Sequence, residues 1–141
     1  MSRRLLSTVV VLAALTGVLA TTVASAGAQQ SFPQGRYTSP LVAADFTRYG
    51  GKMDASFPHP WIITMRKGSW HTNEHPSFGG RYLLHGNRIT FVVNYPLEGA
   101  GGRQTLTWKY DHQRLAFKIV AGVEDGDQAI YLAHPWRRIG P

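Results

Sequence analysis

From residue 35 onward, apolar and polar side chains alternate. Trp61, Ile63 and Met65 share one parity, and Ile62, Thr64 and Arg66 the other. That is the period of a strand with one face in a core. It recurs with Tyr82 and Leu84 in Gly80 to His85, and with Ile89, Phe91 and Val93 in Arg88 to Asn94. It appears again with Leu106, Trp108 and Tyr110 in Gln104 to Tyr110, and with Leu115, Phe117 and Ile119 in Arg114 to Val120. Gly35 to Val42 predicts a first strand, Ser69-Trp70 the start of a return strand, and Trp136 to Ile139 a last one. Lys67-Gly68 and Gly86-Asn87 read as two-residue hairpin turns, and Asp111 to Gln113 as a third reversal. Ala43 to Gly50 and Ala129 to Ala133 predict short helical turns, the first stopped by Gly50-Gly51.

About eight short strands joined mostly by tight turns describe a meander with one apolar face. A sheet of that length must cover its apolar face, and closing it into a barrel does so while removing exposed edges. The pattern therefore predicts an all-β chain: a small antiparallel up-and-down barrel of about eight strands with one or two helical turns. Period-two alternation is equally compatible with a two-sheet sandwich.

The first residues follow a different pattern. Arg3 and Arg4 precede an apolar run from Val9 to Val23, and the small residues Ala24, Ser25, Ala26, Gly27 and Ala28 follow. This is the layout of a secretory signal peptide, with cleavage expected after Ala28. The run is short for a membrane span. Arg3-Arg4 is the pair of a twin-arginine leader, but the surroundings fit general secretory export better. The expected organisation is a leader over residues 1–28 and one domain over 29–141, secreted and without a membrane span once cleaved.

Composition narrows the function. The formal charge of the chain is +7, and 13 Lys and Arg against 8 Asp and Glu remain once Arg3 and Arg4 leave. These bases are scattered, whereas nucleic-acid binders gather them on one face. No nucleic-acid partner is expected; weak attraction to anionic cell-envelope polymers is. There is no cysteine, which excludes disulfides, thiol catalysis and Cys-ligated zinc.

Several segments taken together resemble a lipocalin-like domain. They are Gly35-Arg36-Tyr37, Gly80-Arg81-Tyr82, Gly86 to Phe91, Leu106 to Tyr110, and His134 to Ile139. Similar segments occur in secreted actinobacterial proteins, sometimes appended to extracellular solute-binding proteins. Lipocalins open with Gly-x-Trp and pack that Trp on an Arg near the C-terminus. Here Tyr37 stands in for the Trp, and Arg137 or Arg138 would supply the guanidinium that closes the barrel. The resemblance implies a binding module for a small apolar or amphipathic ligand. The lining would be Tyr37, Trp61, Ile63, Tyr82, Phe91, Trp108, Tyr110 and Phe117. The alternative is a barrel filled by those same side chains, serving as a non-catalytic interaction or structural protein of the envelope.

Catalytic signals are weak. His71 and His75 flank Glu74 at a spacing that suits zinc on a helix, but Pro76 and the absence of helical periodicity make the segment a polar loop. A hydrolase or metal enzyme built on that loop is the least supported reading, and no catalytic residue, metal ligand or cofactor is assigned. No serine sits in a nucleophile turn. Glu124, Asp125 and Asp127 read as a solvated acidic turn. His59-Pro60-Trp61 and His134-Pro135-Trp136 read as matched strand entries in which proline sets an extended approach and Trp anchors the core.

Overall fold

The computed structural model describes residues 31–53, 57, 59–74, 78–95 and 99–141. The leader expected over residues 1–28 lies outside them, as does His75. The strands are β1 (Gly35–Ser39), β2 (Trp61–Arg66), β3 (Ser69–Thr72), β4 (Gly79–His85), β5 (Arg88–Tyr95), β6 (Arg103–Asp111), β7 (Arg114–Ala121) and β8 (Trp136–Gly140). Each pairs antiparallel with the next, and β8 returns to β1 through Tyr37↔Arg138 and Thr38↔Arg137. The result is a closed eight-stranded up-and-down barrel, the architecture the alternation predicts.

Closure distinguishes the barrel from the sandwich, and it follows from where the chain ends meet. β1 has a free side after pairing with β2, and β8 supplies the missing row of hydrogen bonds, so no edge remains. The inner faces carry Tyr37, Ile63, Met65, Trp70, Tyr82, Phe91, Leu106, Trp108, Leu115, Phe117 and Trp136, all buried in one cluster. Alternation lapses in two places. Leu83 and Leu84 are both exposed beside the Gly86 turn, so the expected inward Leu84 is a surface residue. Val92 and Val93 are both buried, near the register shift at Gly79/Gly80 where the inward–outward count slips.

The three tight turns lie at one end of the barrel and the longer connections at the other. At the tight-turn end Ser31 to Gln34 cross the opening. Phe32 sits 5.5 Å from Tyr82 and 5.3 Å from Trp108, ring centre to ring centre. Gln34 ties the segment down: its Oε1 accepts from the Lys67 N–H at 2.7 Å and its carbonyl accepts from Arg138 at 2.8 Å. At the loop end lie helices α1 (Ala43–Arg48) and α2 (Gln128–Leu132). In α1, Asp45 reaches back to accept the Val42 N–H at 3.0 Å, satisfying a first-turn donor. A 3₁₀ turn at Asp125–Asp127 leads into α2, which drives Tyr131 into the barrel.

Candidate functional site

Seven of the eight expected lining residues point inward and are buried: Tyr37, Trp61, Ile63, Tyr82, Phe91, Trp108 and Phe117. Tyr110 is half-buried, with its ring edge-on to Tyr37 at 6.5 Å. These residues fill the interior instead of surrounding a ligand-sized space. Phe91 packs on Trp70, Phe117 and Tyr131 at ring separations of 5.2, 6.1 and 6.1 Å. The void left near the loop end, lined by Trp61, Trp70, Phe78, Gln104, Tyr131 and Trp136 among others, has a volume of about 10 Å³. That is about the room one water needs, whereas small-molecule sites run to hundreds of cubic ångströms.

Polar groups converge at this loop end. The Tyr131 hydroxyl donates to Gln104 Oε1 at 2.5 Å, and Gln104 Nε2 donates to Asp127 at 3.4 Å. The Thr72 hydroxyl donates to Glu74 at 3.3 Å. Burial pushes the Asp127 carboxyl above the ordinary carboxylate range and Glu124 adds to this, with the Gln104 bond opposing. Burial does the same to Glu74, and there Asp127 itself is a contributing charge. Asp127 departs from the solvated acidic turn expected of its loop, because the 3₁₀ turn that leads into α2 brings it to the Gln104 side chain. The Trp61 indole N–H is buried at the same end and has no hydrogen-bond partner among the described residues. At the opposite end the Tyr82 hydroxyl and the Trp108 indole are likewise without a partner among the described residues.

At the barrel seam Arg138 stands opposite Tyr37, while Arg137 pairs with Thr38 on the outer face. The Tyr37 hydroxyl donates to the Pro33 carbonyl at 2.5 Å. Burial raises it to about 12, with Tyr110 adding and the nearby Arg138 charge opposing. Of the two arginines expected to meet Tyr37, Arg138 is its cross-strand partner.

The histidines are dispersed. His71 projects outward from β3 into a groove of about 370 Å³ that it shares with Arg36 and Arg66. His59, His85 and His112 are exposed. Among the described residues no group of three or more His, Asp or Glu side chains could hold a metal ion. The matched His-Pro-Trp entries do converge: Trp61 and Trp136 begin β2 and β8 with ring centres 5.6 Å apart. His134 Nε2 lies 3.0 Å from the Asp45 carboxylate. Burial would raise the Asp45 carboxyl, but the Val42 N–H, His134 and Arg48 outweigh it and hold the group below the ordinary range.

Outside the barrel, the seam between β7, β8 and β1 carries a groove of about 400 Å³ lined by Thr38, Pro40, Pro60, Arg114, His134, Pro135 and Arg137. Arg114 and Arg137 are directly opposite one another in the β7–β8 register. The sequence pattern marks Arg114 and Arg137 only as outward positions, since nothing local says they are neighbours. Gln104 was discoverable, as two-residue counting back from Leu106 places it on the inner face.

By fold the chain is a small closed antiparallel eight-stranded barrel, an architecture compatible with lipocalin-like barrels. No protein-family model matches the sequence, and neither a curated protein nor a solved structure matches it.

Proposed function

We propose that this chain is a non-catalytic binding module that acts outside the cytoplasm and meets anionic cell-envelope polymers with the outer wall of its barrel. The observation that carries this reading is the filled interior. A void of about 10 Å³ leaves no room for an apolar ligand, whereas the outer seam offers about 400 Å³. Charge supports it. Among the described residues the side-chain carboxylate–cation contacts within 4 Å go to His112 and His134 and not to a Lys or Arg. A surface of uncompensated bases attracts polyanions at long range and loses them as salt rises.

A second reading, a small apolar or amphipathic ligand at the loop end, has one observation in its favour: the unpartnered Trp61 N–H beside the void. The two readings separate in one experiment. The full precursor is expressed in an exporting host, and protein from the medium is examined by native mass spectrometry and by co-sedimentation with insoluble polyuronate. We expect the bare mass of a chain beginning near Gln29, and retention that falls as salt is raised. A co-purified apolar molecule with no salt-dependent retention would favour the second reading.

A further inference from the structure

We infer that the groove where β7, β8 and β1 meet binds an oxyanion, a phosphate or carboxylate carried on a sugar or polyol unit, through Arg114 and Arg137. This rests on the polymer-binding reading above and gives it a site.

Three features of the groove lead there. The first is register. Arg114 on β7 and Arg137 on β8 are direct cross-strand partners on the outer face, and Arg137 is in turn opposite Thr38 on β1. Like charges placed opposite one another repel, and a shared counter-charge removes the repulsion. Two guanidinium groups carried at one cross-strand spacing on the groove are within reach of a single anion, and the N–H fork of each suits phosphate and carboxylate oxygens.

The second is the missing competitor. Asp111 is the cross-strand partner of Arg114 on the β6 side, yet its carboxylate takes the His112 Nδ1 at 2.7 Å and no Arg114 contact falls within 4 Å. His134 at the groove wall is positioned through Nε2 by Asp45. The Asp45 charge is already engaged by the Val42 N–H and His134.

The third is the rim. Both His-Pro-Trp entries send their Trp inward and leave their proline on this groove: Pro60 from the entry to β2 and Pro135 from the entry to β8, with Pro40 beside them. Proline rings offer apolar faces and no N–H donors. An occupant with an oxyanion at one side and C–H faces at the other, as in a glycosyl or polyol unit, matches both the arginines and the prolines. The groove lies on the outer wall of the barrel, where a polymer can reach it.

The test is an amide- and guanidinium-detected NMR titration of the mature chain with glycerol phosphate, with glucuronate, and with glucose as the neutral control. Saturable shifts are expected at Thr38, Arg114 and Arg137 with one or both anions and none with glucose. A response to one anion alone identifies the source as phosphate or uronate. Arg114→Gln with Arg137→Gln should weaken binding about tenfold or more. Arg36→Gln with Arg66→Gln, which line a separate groove, should change it by less than about twofold. Asp111→Asn should tighten it by removing the carboxylate at the strand position paired with Arg114. Arg114→Lys with Arg137→Lys, which keeps the charge and loses the forks, should fall between wild type and the Gln pair. Near-UV circular dichroism of the buried Trp residues reports that each variant is folded. Shifts absent from the groove, or equal weakening by the groove and control variants, would overturn the inference. If the groove variants bind the small anions poorly yet still sediment fully with polyuronate, the site is wrong as the polymer contact and the broader reading stands. If wild type ignores polyuronate while the groove saturates with small anion, the reverse holds.

Discussion

Tyr131 carries a hydroxyl into a pocket of Phe91 and Phe117, and Gln104 takes it up at 2.5 Å. A buried hydroxyl without such a partner is costly, and so is the acceptor left behind when the hydroxyl is removed. Tyr131→Phe keeps the ring stack and orphans Gln104 Oε1. It should lower stability by about 1–2 kcal/mol in urea denaturation, with the far-UV spectrum unchanged. Adding Gln104→Leu should cost less than the two single changes summed, because the two residues share one interaction. The partnership explains what local sequence conceals. Gln104 is visible as an inward position by counting along β6. Tyr131 lies on a five-residue helix too short to show a periodic face. Their meeting joins residues 27 positions apart, which no window around either residue contains.

Turns and strands differ in how openly the chain announces them. β2 was legible residue for residue, from Trp61 to Arg66, because alternation and the Lys67-Gly68 turn both mark its limits. β3 runs two residues further than its sequence suggests. His71 and Thr72 have no apolar pattern and are held in the sheet by pairing with Thr64 and Ile63. There the partner strand decides, as it commonly does for strand ends. The Lys67-Gly68 turn also contains a local conflict. Lys67 adopts φ of 48° and Gly68 of 79°, a left-handed pair for which Asn-Gly is the favoured sequence and Lys is poorly suited. Lys67→Asn keeps the backbone N–H that donates to Gln34. It should raise stability by about 0.5–1 kcal/mol, read as a shift in the urea midpoint at constant slope. A neutral or negative result would mean that the lysine stem contributes packing that outweighs its backbone strain.

Across the whole barrel, the carboxyls at the loop end pull stability in opposite directions with pH. Closure through β1 and β8 places the longer connections together at that end, so Asp45, Glu74 and Asp127 are all gathered where helices and loops cover the strands. The Asp45 carboxyl is held below its ordinary range. Its contribution is therefore present above the unfolded value, about 4, and is lost as pH falls through the lower folded one. Glu74 and Asp127 are raised in the folded state by burial, then by neighbouring carboxylates. Below about 4 they are protonated folded or unfolded and add no pH dependence. As pH rises through the ordinary range toward their folded values, the unfolded chain ionises first and stability declines, levelling off once the folded groups have ionised too. The sum is a stability maximum near the ordinary carboxylate range, with a shoulder falling toward neutrality. Melting temperatures recorded across pH should show Asp127→Asn and Glu74→Gln flattening the fall on the alkaline side of the maximum, and Asp45→Asn flattening the rise on the acid side. A wild-type profile that climbs steadily to pH 7 and is unchanged by Asp127→Asn would show that the mouth carboxylates are solvated, and that the loop end opens more widely than the packed barrel implies.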